Sequence, residues 1–450
     1  MDTILYYQQL IPALPILILL VANLVRKRSI CCLSSIALFY TFFAFAGAVV
    51  MIEMPRNGYA YVNPEAMCFL AICYSLFCLP IMFYRDGKLG EDSIFPVDEC
   101  RFRFLALALI VLTVPAAAYF LFKSLPSLVS FLGAGVPRAQ FRTAVDISRA
   151  DSFLGVLMNF GAVFSYCAMF AAIYGIAFER IGGGVFMLLL FGGMSFAISM
   201  LENVARSGVL ECGMFIFVVF VILWPRMHVS ARVRMRRIVC VIASLLLLPF
   251  LLLTIVRFCG GGGEDEPFGY TLFSYFSTGP YSFSADYAVR VECGLPPTKG
   301  ALTCPYLPWI LDKIQGTSDY KDQLDELDDR LQNNAPEYLD VCEGYAGEFK
   351  TIVGSFLLDY SPLTVFFIML FICLLFVKLF RASRNRPVDL VFAAIYFFMV
   401  FMAPIGYVFA TRYRMTMLLA LVLFAFLLVH EKTGYGASSG RSLVDKEGRE

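Results

Sequence analysis

Charge is what this chain lacks most. Only 16% of its 450 residues are Asp, Glu, Lys or Arg, against roughly 25% in an ordinary soluble domain. Apolar residues make up 59% of it, and its mean hydropathy is +0.74. A single water-soluble core has no room for that much apolar surface, so a soluble fold is excluded. Sustained alternation of apolar and polar residues is missing too, which excludes a transmembrane β-barrel. Histidine is nearly absent: His228 and His430 are the only two, and the 14 cysteines form no Cys-x-x-Cys motif. No metal-ligand set is therefore visible. The first ten residues carry no basic run, and the first apolar stretch ends in Arg26-Lys27-Arg28 instead of a small-residue cleavage site. No cleavable leader is expected. The tetraglycine 260–263 lacks the strand, the helix and the lysine of a phosphate loop. It reads as a flexible exit from the membrane.

What is present is a series of runs of about 18 or more apolar residues, each long enough to cross a ~30 Å hydrocarbon layer. The expected fold is an all-α polytopic membrane protein of about eleven transmembrane helices with one large periplasmic loop. The spans fall at 4–24, 30–53, 64–84, 104–122, 153–177, 184–201, 208–225, 238–257, 355–377, 389–410 and 413–430. Helices 1–8 thus occupy 1–257, a polar loop fills 258–351, helices 9–11 occupy 352–430, and a tail follows at 431–450. Lys and Arg then set the orientation. One side collects 21 of them, and the short connections on the other side carry eight. That bias puts the N-terminus and the 258–351 loop outside and the C-terminus in the cytoplasm.

The loop is acidic, with 16 Asp and Glu against six Lys and Arg. It holds Cys259, Cys293, Cys304 and Cys342. In an oxidising compartment these pair in any of three ways, with Cys293–Cys304 the nearest in sequence. Ser318 to Asn334 predicts a helix, with Tyr320, Leu324, Leu327 and Leu331 on one stripe and a solvated acidic face. A second outer connection, 123–152, has room for a short interfacial helix and carries Arg138, Arg142 and Arg149.

The outer arginines run against the charge bias, so something must compensate for placing them there. Arg142, Arg149, Arg206, Arg257, Arg412 and Arg414 all fall at expected membrane ends. Guanidinium groups bind phosphate bidentately and stay charged, which suits a lipid-linked diphosphate or an anionic sugar. Taken singly, each also fits a headgroup anchor or a partner for a loop carboxylate. Three carboxylates stand out as candidate bases toward a sugar hydroxyl, Glu202, Glu211 and Asp359. Glu202 and Arg206 are spaced to pair with each other. Glu211 lies deeper in an apolar run, where a charge is costly. Asp359 precedes Ser361-Pro362, where a helix starts or kinks. The aromatic stretch 270–290, with Tyr281 at its centre, suits a carbohydrate or a membrane surface equally well.

These parts, in this order, resemble the Wzy-type O-antigen polymerases, which join lipid-linked oligosaccharide repeat units. The local echoes are ENVARSGVLECGMFIF, YFSTGPYSFSADY and GSFLLDYSPLTVFFIMLF. The resemblance implies a bacterial inner-membrane glycosyltransferase of lipopolysaccharide or polysaccharide biosynthesis. Its substrate would be an undecaprenyl-diphosphate-linked oligosaccharide. It implies no cofactor or metal and no nucleic acid. Membrane lipid, a chain-length regulator and a flippase are the implied partners. It points to Arg206 and Asp359 first, with Arg257, Arg412 and Arg414 following by position. Two alternatives stay open. One is an O-antigen ligase-like transferase, which usually has a periplasmic histidine that this chain lacks. The other is a lipid-linked oligosaccharide flippase or other transporter.

Overall fold

A computed structural model describes residues 8–30, 32–52, 63–85, 97–134, 153–201, 207–227, 230–236, 279–280, 283–284, 286–292, 294, 297–298, 300–316, 351–383 and 386–429. Among them there is no strand. Nine helices make the first part of the bundle: α1 Ala13–Lys27, α2 Leu33–Ile52, α3 Pro64–Cys78, α4 Glu99–Ala134, α5 Phe153–Ala162, α6 Ser165–Ala177, α7 Gly183–Gly193, α8 Ser195–Leu201 and α9 Ser207–Leu223. Within the polar segment lies α10 Tyr306–Gln315, and after it come α11 Ile352–Asp359, α12 Pro362–Ala382, α13 Pro387–Met402 and α14 Arg412–Leu428.

The chain is a polytopic helical membrane protein. Six stretches are long and apolar enough to cross a bilayer: Pro64–Phe83, Glu99–Pro126, Phe153–Ala177, Gly183–Leu201, Ser207–Arg226 and Pro362–Ala382. Helices overlie ten of the eleven expected intervals, but the count of eleven is not reached among the described residues. The eighth interval, 238–257, lies outside them, as do the acidic helix expected at 318–334 and the tail at 431–450. At the bundle's centre, every residue of α6 is buried and nearly all of α13 is. At its edge, α12 turns Leu363, Phe367, Phe371 and Leu374 outward on one face. Such a row is the surface a hydrocarbon solvent wets.

Several expected boundaries shift for local reasons. The fourth span is longer than 104–122, because α4 runs from Glu99 through Pro115 and Pro126 to Ala134. Proline is tolerated where neighbouring helices satisfy the freed carbonyls. The spans 153–177 and 184–201 are each broken once, between α5 and α6 and between α7 and α8. The two breaks face each other, with the Ser165 and Ser195 hydroxyls 2.7 Å apart and the Phe196 N–H donating to Ser165 Oγ at 3.3 Å. The ninth interval, 355–377, is two helices. Ser361 caps α12 by accepting from the Thr364 N–H at 3.3 Å, and Pro362 fills its first turn.

One end of the bundle gathers the starts of α3, α11, α12 and α14. Asn63, Thr351, Ser361 and Thr411 cap these starts with their side chains. Part of the polar loop docks onto this end. The Asn63 N–H donates to Ser284 Oγ at 2.8 Å, and Phe283 stacks on Phe69 with ring centroids 6.5 Å apart. Gly279 lies so close to Pro404 that an added Cβ would sit 1.9 Å from its carbonyl oxygen, so only glycine fits there. Of the four loop cysteines, Cys304 is a free, exposed thiol; Cys259, Cys293 and Cys342 lie outside the described residues.

Candidate functional site

Two clusters occupy the end where the loop docks, and both involve residues singled out by the sequence. The first joins α9 to α14. Thr411 accepts from the Arg414 N–H at 3.3 Å, which fixes the first turn of α14 and aims Arg414 into the bundle. There a terminal guanidinium nitrogen of Arg414 donates to Glu211 Oε1. The Glu211 side chain is 4% exposed and that of Arg414 18%. Aromatic rings wall the pair. The Arg414 guanidinium lies 6.0 Å from the Phe196 ring centre, and Phe196 stacks on Tyr413 at 5.8 Å. Tyr166 stacks on Phe215 at 4.6 Å and lies within electrostatic reach of both charges.

The hydrogen bonding of this cluster is incomplete. Glu211 Oε2, Arg414 Nε and the Tyr166 hydroxyl are buried and have no hydrogen-bond partner among the described residues. Buried polar groups of this kind are usually satisfied, so these three atoms leave the cluster with hydrogen-bonding capacity to spare. Two residues earlier, Arg412 points outward. Its guanidinium lies over the Trp309 ring at 5.0 Å, and Tyr306 of the same loop helix hydrogen-bonds to Thr416.

The second cluster is built on Asp359, the last residue of α11. It is completely buried. Four donors converge on its carboxylate: the Thr298 hydroxyl, the Leu302 N–H at 3.1 Å, the Thr303 N–H at 2.7 Å and the Thr303 hydroxyl at 2.6 Å. The loop reaches this position through Gly300, whose φ of +98° favours glycine. Burial pushes the Asp359 carboxyl above its ordinary value, and the four donors pull the other way. With both oxygens engaged, Asp359 fastens residues 298–303 of the loop to the bundle. A second loop carboxylate, Asp286, is buried against Gly354 of α11.

Of the ten candidate site residues, the structure therefore brings together Glu211 and Arg414, turns Arg412 outward on the same helix turn, and sets Asp359 in its own donor nest. Glu202, Arg206, Arg142, Arg149, Arg257 and Tyr281 lie outside the described residues, as do His228 and His430. Trp309, Tyr166, Phe196, Thr298 and Thr303 were not singled out from the sequence. Trp309 had one signal, since the chain has only two tryptophans. The threonines had none. No group of three or more His, Cys, Asp or Glu arranged to hold a metal ion occurs among the described residues. No protein-family model, no curated protein and no solved structure matches the chain significantly.

Proposed function

We propose that this protein polymerises lipid-linked oligosaccharide repeat units of a bacterial surface glycan, O-antigen or similar. The reaction takes place at the periplasmic face of the inner membrane, with the N-terminus periplasmic and the C-terminus cytoplasmic. The observation that carries the reading is the pair Arg412 and Arg414 in the first turn of α14. One is exposed on a tryptophan, and the other is buried against a carboxylate with a donor to spare. The outward guanidinium of Arg412 suits a diphosphate whose lipid lies in the bilayer, while Arg414, on the other side of the same turn, faces the bundle interior.

In this reaction a bond forms between the anomeric carbon of the growing chain and a hydroxyl of the next lipid-linked unit. The bond from that carbon to the diphosphate breaks, undecaprenyl diphosphate leaves, and the hydroxyl proton goes to a base. Arginine stabilises the negative charge that develops on the leaving diphosphate. Glu211 orients Arg414 and offers its second oxygen as the unspent acceptor of the cluster. Asp359 holds its own stretch of the loop against the bundle. The experiment is a gel of surface polysaccharide from a deletion strain, with the lipid-linked intermediates beside it. A ladder collapsed to core plus one repeat unit supports polymerisation. Long polymer stranded on its lipid carrier would instead indicate a ligase-like transferase.

A second reading, a lipid-linked oligosaccharide flippase, draws on the facing helix breaks at Ser165 and Ser195. Broken helices recur at transporter binding sites. In the same experiment it predicts single units trapped on the cytoplasmic face.

A further inference from the structure

The loop helix α10 carries a feature that the reaction does not use. Leu307, Ile310, Leu311 and Ile314 recur at the spacing of one helical face, and all four are exposed, Ile314 by 77%. The opposite face is the one that packs: Pro308 is buried, and Trp309 and Asp312 are partly covered. An apolar stripe of this kind normally faces a core or a membrane.

The position of the helix decides between these. On α14, Arg412, Thr416, Leu419, Leu423 and Phe426 fall on one face, and the last three are exposed apolar side chains. That row has the exposure and composition of a bilayer-facing surface. Tyr306 and Trp309 of α10 attach to its first two members, Thr416 and Arg412. The loop helix therefore lies against the end of α14 on the side that carries this exposed row. Around the stripe are the groups found at membrane interfaces: an aromatic pair, Tyr306 and Trp309, and two cations, Lys313 and Arg412.

We infer that α10 is an interfacial helix, seated in the leaflet where α14 begins, with its Leu307–Ile310–Leu311–Ile314 stripe among the acyl chains. This rests on the helices alone and not on the polymerase reading. Amphipathic helices of this type bury their apolar face ~5–10 Å into the headgroup and acyl boundary.

The test puts a single indole on the stripe, Ile314→Trp in a W224F/W309F background, which keeps an aromatic ring beneath Arg412. The full-length protein is reconstituted in phosphatidylcholine vesicles, with or without chains brominated near the headgroup end. The expected result is a loss of fluorescence in the brominated vesicles and little loss to aqueous iodide. An indole at Lys313→Trp, off the stripe, should show a smaller lipid effect. Leu307→Trp repeats the measurement from the other end of the stripe. Quenching by iodide but not by brominated chains would overturn the inference by putting the stripe in water. Protection from both quenchers would overturn it by showing a protein cover, a second copy or another subunit.

Discussion

Arg414 and Glu211 stand 203 residues apart in the chain and form an ion pair inside the bundle, where α14 and α9 begin. Glu211 has no water to fall back on, and Arg414 has little. Removing one partner of a buried pair leaves the other uncompensated, at a cost of about 3–5 kcal/mol. Glu211→Gln and Arg414→Met should each lower the melting temperature of the purified protein in detergent. The double variant should lose less than the sum of the two, and a double-mutant cycle by thermal unfolding checks it. Strict additivity would show that the two side chains do not depend on each other.

Asp359 fastens the loop, so Asp359→Asn should release it. The amide offers one acceptor where the carboxylate offered two, and it turns its own N–H toward donors. Leaving a buried donor unsatisfied costs about 1–3 kcal/mol. Limited proteolysis should then cut between 286 and 316 faster than in the wild type, while the helical circular dichroism signal is unchanged. Equal cleavage rates in the two proteins would argue against this anchoring role.

Arg412 acts at an exposed site, so its loss should affect function more than folding. Its contact with Trp309 contributes on the order of 0.5–1 kcal/mol. Arg412→Lys should keep the charge and lose the bidentate fork. Shorter surface polymer at an unchanged protein level is the expected phenotype, read on a polysaccharide gel. Wild-type chain lengths for Arg412→Lys and Arg414→Lys alike would remove the arginines from the account.

The helices were legible in the sequence because a bilayer demands long apolar runs and nothing else imitates them. Their breaks were less so. Ser165 and Ser195 make sense only opposite each other, and α4 continues past Pro115 and Pro126, where a sequence reading stops it. The candidate site was legible in its charges, since Glu211, Arg412 and Arg414 stand out from apolar surroundings. The pairing of Glu211 with Arg414 was not, because i, i+4 spacing drew attention to Glu202 and Arg206. The nest around Asp359 depends on backbone N–H groups at Leu302 and Thr303, which no side-chain pattern announces. The stripe on α10 has a readable 3–4 spacing, yet the acidic run at 318–334 was the more conspicuous helix.

Cys304 offers a direct check of orientation. It is exposed and unpaired, and the proposed orientation has it outside. In a variant with Cys68, Cys259, Cys293 and Cys342 changed to Ser, a membrane-impermeant maleimide added to intact spheroplasts should label the protein. Adding Cys304→Ser should abolish the label. Labelling of Cys304 only after the membrane is broken would invert the topology.

The most direct measurement is polymerisation by the purified protein in vesicles supplied with lipid-linked repeat units and no nucleotide. Products are resolved by mass, and released undecaprenyl diphosphate is counted. The account predicts a series of lengthening chains, one diphosphate lipid released per bond formed, and loss of the series in Arg414→Lys. Repeat units that cross the bilayer without ever growing longer would contradict it.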